Sequence, residues 1–452
     1  MTMPKLKLRL ADLLGALSHA LDLTEGQPKG HCIRCCWMGM QLGMRLKLWP
    51  DALSDLYYTI LMKDLGCSSN AARICQLYLA DDISFKRDFK QIDGSLPQAL
   101  RFVLGHTGLE TGLANRFRAI INILRNGGEI SRELIEARCH RGAEIAARMR
   151  FSKAVCDGIQ NLDEHWDGSG KPEGRKGSDI PLNAQIALLT QVADVFNISN
   201  GPQAALREVT YRTGTWFEPR LVEAFRMLQE EPDFWDILKE EDLPALVIDL
   251  EPAKAVRYVD EDYLDEIATA FAEVIDAKSS FTHGHSERVA VFTDMIAEDM
   301  GLKPEHRRWL KRAALLHDIG KLAISNSILD KPAKLTGEEF AAIKMHPVHS
   351  AAILSGISIF ADLAPVAGGH HERLDGKGYP RGLKGEAINL ETRIVTTADI
   401  FDALTADRPY RPAMPASQAF AIMTGDLGTA IDADCFAALQ RALTRAEASL
   451  AA

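Results

Sequence analysis

In the C-terminal half of the 452-residue chain, His285, the pair His317-Asp318, His346, the pair His370-His371 and Asp399 stand beside apolar runs. Imidazoles and carboxylates buried in such surroundings cost free energy unless they share a partner, and metal ions are the economical partner. A mixed imidazole and carboxylate set suits iron, manganese or zinc better than calcium or magnesium, which prefer shells of oxygen alone. So many ligands fit two ions, with one carboxylate able to bridge them. The chemistry such a pair supports is hydrolysis at phosphorus, where the ions clamp phosphoryl oxygens and activate water for in-line attack.

The elements that must position these residues read as helices. "EHRRWLKRAALLHDIG" places Trp309, Leu310, Ala313 and Ala314 at helical spacing, and "VDEDYLDEIATAFAEVIDA" over 259–277 is a long amphipathic helix. Strand-like alternation is scarce, so the expected class is all-α. "DGKGYP" is a tight loop in which Gly376 and Gly378 permit positive φ and Pro380 fixes the exit.

The pattern occurs twice. An offset of 254 lays "LDLTEGQPKGHCIR" over "IDAKSSFTHGHSER", matching Asp22 with Asp276, Gly30 with Gly284 and His31 with His285, and carries Lys63, Asp64 and Gly66 onto His317, Asp318 and Gly320. After a length change, an offset of 208 pairs "WDGSGKPEG" with "LDGKGYPRG". An offset of 205 then pairs "VADVF" with "TADIF", and so Asp194 with Asp399, and "GTWFEPRLVEAF" corresponds to "GTAIDADCFAAL". Duplication predicts two tandem helical domains. The stretch 230–258 is acidic, proline-punctuated and outside both repeats, which makes it the expected linker between domains at 1–229 and 259–452.

"HSERV", "LLHDIGK", "HP", "HHERLDGKGYP" and "ADIFDALTADRPYR" resemble, in that order, the motifs of the HD-GYP family, bacterial phosphodiesterases that hydrolyse cyclic dinucleotides, chiefly cyclic di-GMP. The resemblance covers residues from about 270 to 445. It implies that His285, His317, Asp318 and Asp399 hold one metal, and that Asp318 bridges to a second held by His346, His370 and His371. Where some members use a Glu for a third ion this chain has Phe281, so two ions are implied, with iron favoured and manganese the alternative. The implied reaction opens cyclic di-GMP to pGpG, continuing in some cases to GMP. 3',3'-cyclic GMP-AMP is the neighbouring substrate and a non-enzymatic nucleotide-sensing adaptor the reading of another class.

Lys321, beside Asp318, is placed to stabilise charge on the phosphate. Arg408 and Arg411 carry the forked guanidinium that suits phosphate, or else pair with Asp402 or Asp407. Tyr379 with Gly378 is implied near the substrate, on a solvent-exposed loop that in relatives docks diguanylate cyclase (GGDEF) domains.

The first copy lacks the ligand set. Lys63 replaces a histidine, Arg138 stands for His346, Leu162-Asp163 for His370-His371, Cys67 for Lys321 and Lys171 for Tyr379. Removing a dication from among carboxylates leaves negative charge, so the Lys63 ammonium is expected against Asp64 or Asp194. Such a copy serves as a regulatory, dimerising or nucleotide-holding domain, with a homodimer one outcome.

Composition sets the remaining bounds. A net charge of -10 argues against a general DNA binder, and 46% hydrophobic with 25% charged residues is the balance of a globular protein. The apolar stretch near the N-terminus is broken by Asp12, His19 and Asp22, and no uninterrupted apolar run is long enough to span a bilayer, so a cytoplasmic protein free of membrane is expected. Eight cysteines in so long a chain read as thiols, and Cys32, Cys35 and Cys36 share a helix face as small core residues.

Overall fold

A computed structural model describes residues 8–93, 95–109, 111–252, 256–407 and 412–451. Among the described residues the fold is all-helical apart from a two-residue antiparallel pairing of Leu8–Arg9 with Tyr258–Val259. It divides into two compact units, residues 1–263 and 264–452. Among the described residues, no helix is long and apolar enough to cross a membrane.

The expected linker over 230–258 carries structure of its own. Helices Phe234–Ile237 and Leu243–Asp249 belong to the first unit, with Phe234, Leu243 and Val247 buried and the Phe234 ring 5.0 Å from that of Trp37. Acidic, proline-punctuated composition pointed to a linker. The spacing of Leu243 and Val247, four apart on one helix face, decides instead, while Glu240 and Glu241 remain outside.

Each unit presents its His-Asp or Lys-Asp pair by the same device. Helix Pro304–Leu316 starts with proline at its first turn, where the missing N–H is no loss, and ends as His317 and Asp318 turn into a short 3-10 segment, Ile319–Ala323. Helix Pro50–Met62 likewise starts with proline at its first turn, and Lys63 and Asp64 follow it in a run of turns. The glycine that follows is needed for close approach: a Cβ on Gly320 would collide with the carbonyl oxygen of His346, and one on Gly66 with that of Arg138. Tertiary contact therefore pairs Arg138 with His346, as the offset of 208 requires.

The first imidazole of each unit opens a helix, His31–Arg45 or His285–Asp299, behind a left-handed glycine, Gly30 (φ 85°) or Gly284 (φ 66°). A buried aspartate holds each start. Asp22 accepts from the backbone N–H of Gly30, His31 and Cys32, and Asp276 from the N–H and hydroxyl of Ser286. The units differ between the His-Asp region and the next ligand position. There the offset falls from 254 to 208, and the first unit spends its 46 additional residues on helices Ala71–Tyr78, Asp82–Phe89, Leu96–His106 and the first half of the 36-residue Leu113–Arg148.

Candidate metal centre and its degenerate counterpart

Four imidazoles of the second unit are locked at Nδ1. His317 Nδ1 lies 2.6 Å from the carbonyl of Ala314, His346 Nδ1 2.7 Å from that of Ile343, and His370 Nδ1 2.7 Å from that of Ala367. A carbonyl only accepts, so each Nδ1 carries the proton and each Nε2 a lone pair. His285 Nδ1 lies 2.7 Å from Asp402, which Arg288 grips through Nε and a terminal nitrogen at 2.6 and 3.1 Å.

The freed nitrogens converge on Asp318. Its Oδ2 is 3.3 Å from His317 Nε2 and 3.5 Å from His285 Nε2, and Asp399 Oδ1 is 3.4 Å from that same nitrogen of His285. Its Oδ1 faces the other way, 3.3 Å from His346 Nε2 and 3.7 Å from His370 Nε2. One carboxylate thus presents each oxygen to a separate group of histidines, and His371 joins His346 and His370 within 4.8 Å.

These donors fit cations. His346 Nε2 and His370 Nε2 lie 3.2 Å apart although both carry lone pairs, and His317 Nε2 and Asp318 Oδ1 are buried with no hydrogen-bond partner. Converging acceptors without a donor want a Lewis acid between them. Burial, then the neighbouring imidazoles, hold His370 and His371 well below the usual histidine range, in the neutral form a ligand needs. Burial works against the Asp318 carboxylate, yet His317 and Lys321 beside it hold it well below the ordinary aspartate value.

Around this centre, Lys321 pairs with Asp318 and keeps 22% of its side chain exposed. The Tyr379 ring packs 4.9 Å from that of His371 and is half-buried, where exposure was expected; the exposed residues of the loop are Lys377 and Pro380. Burial pushes the Tyr379 phenol up. Gly376 has the expected positive φ of 78°, whereas Gly378 does not. Gly378 is glycine because the backbone of His371, Glu372 and Arg373 passes too close for a Cβ. Arg408 and Arg411 lie outside the described residues.

Three side chains escaped the sequence reading. Asp402 and Arg288 orient His285, and Glu372 holds the "GYP" loop by accepting from the N–H of Arg381 and Leu383 at 2.7 and 2.8 Å. The available signal was duplication: Arg34 and Glu164 occupy the same places in the first unit, where Glu164 accepts from the N–H of Glu173, Gly174 and Arg175.

The first unit corrects one pairing. His31 Nδ1 lies 2.7 Å from Asp194, and Arg34 grips Asp194 at 2.7 and 2.9 Å, so Asp194 plays the part of Asp402 and not of Asp399. Helices Leu182–Asn200 and Leu390–Thr405 begin 208 residues apart, and the same offset puts Gln191 in the place of Asp399. Lys63, fully buried, pairs with Asp64 Oδ2 and places its Nζ 3.2 Å from His31 Nε2. The ammonium therefore sits between the atoms that correspond to Asp318 Oδ2 and His285 Nε2. Burial opposes its charge, but Asp64 raises Lys63 well above the ordinary lysine value. His31, Cys35 and Asp194, like Glu25, Asp64 and Cys67, also lie close enough to share an ion. Their carboxylates are already matched by Arg34, Lys63 and Lys90, with Lys90 2.8 Å from Glu25.

A family model described as "HD domain" matches residues 110–221 and 269–435. A Vibrio cholerae protein named 3'3'-cGAMP-specific phosphodiesterase 3 is 54% identical over 96% of this chain and 94% of its own length. A second from that organism, 3'3'-cGAMP-specific phosphodiesterase 1, is 36% identical over 63% of this chain and 68% of its own. The solved structure described as a cyclic GMP-AMP-specific phosphodiesterase of V. cholerae superposes with a TM-score of 0.66 at 48% identity, over 96% of this chain and 98% of that one.

Proposed function

The chain belongs to the HD domain family, in its HD-GYP group, and is a cyclic dinucleotide phosphodiesterase; from that premise we propose that it hydrolyses 3',3'-cyclic GMP-AMP in preference to cyclic di-GMP. Support for the choice of substrate is the 54% identity, over nearly the full chain, with a protein named for that specificity. Cyclic di-GMP, the substrate expected from motifs alone, becomes the second reading, because those motifs report the metal centre and not the base pocket.

The observation that carries the catalytic assignment to the second unit is Asp318, with one oxygen toward His285 and His317 and the other toward His346 and His370. His285, His317, Asp399 and Asp318 Oδ2 would hold one ion; His346, His370, His371 and Asp318 Oδ1 would hold the other, with iron or manganese suited to this nitrogen and oxygen set. Bound there, such ions supply Lewis acidity toward a phosphoryl oxygen and lower the pKa of water. Asp402, fixed by Arg288, keeps the His285 proton on Nδ1 so that Nε2 faces inward. Lys321, with 22% of its side chain exposed, offers its ammonium to the phosphate. Tyr379, tilted 35° against His371 and half-open to solvent, offers a ring for a base to stack upon.

The test is turnover of each cyclic dinucleotide by metal-loaded protein, with linear products resolved by chromatography. A higher kcat/KM for cyclic GMP-AMP is expected. A preference for cyclic di-GMP would reverse the substrate assignment while leaving the phosphodiesterase intact.

A further inference from the structure

The first unit contains a cavity of about 650 Å³, within the range of small-molecule sites. Its walls come largely from the additional helices: Tyr78, Phe85, Phe102, Val103 and Ile123 belong to the apolar cluster those helices build, and Leu188 closes the opposite side. Its floor is the position of the lost metal centre. Arg138 and Asp163 stand there in the places of His346 and His371, Gln191 in that of Asp399 and Lys171 in that of Tyr379.

Charge and shape at that floor point to one kind of occupant. In the lining, Lys90, Arg138 and Lys171 stand with Glu25 and Asp163, three cations to two anions. Away from the floor the lining is mainly aliphatic and aromatic, with Arg125 and Ser131 among it, and Leu96 and Leu124 are 82% and 56% exposed.

Two glycines strengthen the case. Gly127 and Gly128 lie inside the long helix, where each costs about 1 kcal/mol relative to alanine. Neither is explained by close approach, since a Cβ at either meets nothing within 4 Å. Both line the cavity, so what they preserve is room.

We propose that the first unit is a binding chamber for an amphipathic anion, an acyl chain ending in a carboxylate or a phosphate, with the head at Arg138 and Lys171 and the chain among the apolar walls. It uses no residue of the second unit and stands independently of the catalytic assignment.

Calorimetry with the full chain tests it, using dodecanoate, dodecyl phosphate, dodecanol and 3',3'-cyclic GMP-AMP as probes, the last in non-hydrolysing conditions. One equivalent of at least one anionic probe is expected to bind, with dodecanol at least about tenfold weaker. Gly127→Phe puts a ring where a Cβ meets nothing within 4 Å and is expected to abolish binding while its thermal midpoint stays at or above that of the parent. Lys171→Glu, at the edge of the chamber, is expected to weaken the anions about tenfold and leave dodecanol unchanged. The stronger of the two anions identifies the head group. Failure of both anions to bind, binding indifferent to both substitutions, or a cyclic dinucleotide displaced by Gly127→Phe would each overturn the proposal.

Discussion

Two centres built on one scaffold differ only in what occupies the middle. Both keep an aspartate that caps the first helix, a glycine where two backbones touch, and an imidazole whose Nδ1 is held 2.7 Å from an aspartate that an arginine grips. The second fills the space between with converging lone pairs; the first fills it with the Lys63 ammonium, and the neighbouring ligand places with Arg138 and Gln191. What the copies share is therefore the scaffold's requirement. What the second alone has is the convergent set of lone pairs on which the proposed chemistry rests. Replacing a metal dication by a lysine keeps buried carboxylates compensated, so the fold outlives the activity.

That contrast breaks most readily at the shared aspartate. Asp318→Ala removes the group common to both histidine clusters and is expected to lower kcat by about 10³-fold or more, several kcal/mol of transition-state stabilisation, with loss of bound metal by elemental analysis. Asp64→Asn, its counterpart, should leave turnover within about threefold, because no ion depends on it. Equal losses from the two would mean that the first unit shares in catalysis.

Stability should respond in the opposite sense. Lys63→Met strands the buried Asp64 and is expected to cost the first unit about 3–5 kcal/mol in its urea transition, most of it recovered by adding Asp64→Asn. Lys321→Met, at a partly exposed pair, should cost about 1 kcal/mol or less. Further down the scale, Asp402→Asn releases the His285 ring. It is expected to weaken metal binding about 10–100-fold, with activity restored by raising the metal concentration, while Asp194→Asn alters no metal content.

The candidate ligand cluster was legible because imidazole and carboxylate types announce themselves wherever the fold brings them together. The partner of His31 was not. "VADVF" matches "TADIF" by letters three residues out of register, close to one helical turn, and such a slip leaves an aspartate on the same helix face. Only the contact of Asp194 with His31 and Arg34 resolves it. The folded character of 230–258 was hidden because acidic residues dominated its composition while a few apolar ones decided its packing. The chamber could not be read at all, since its lining is drawn from side chains scattered between Glu25 and Trp216.

The register correction supplies the smallest and sharpest test. If Gln191 stands in the place of Asp399 and Lys63 in that of His317, two substitutions rebuild the first of the two ion sites, because His31 and Asp64 are already present and His31 is already oriented by Asp194. Lys63→His with Gln191→Asp is then expected to raise the bound metal by about one ion per chain, with no new turnover, since Arg138 and Leu162 still deny the second site. Lys63→His with Asp194 untouched and Gln191 kept should bind more weakly, lacking a carboxylate. Were the pairing of Asp194 with Asp399 the true one, the single substitution would already hold the ion as tightly, and adding Gln191→Asp would change nothing.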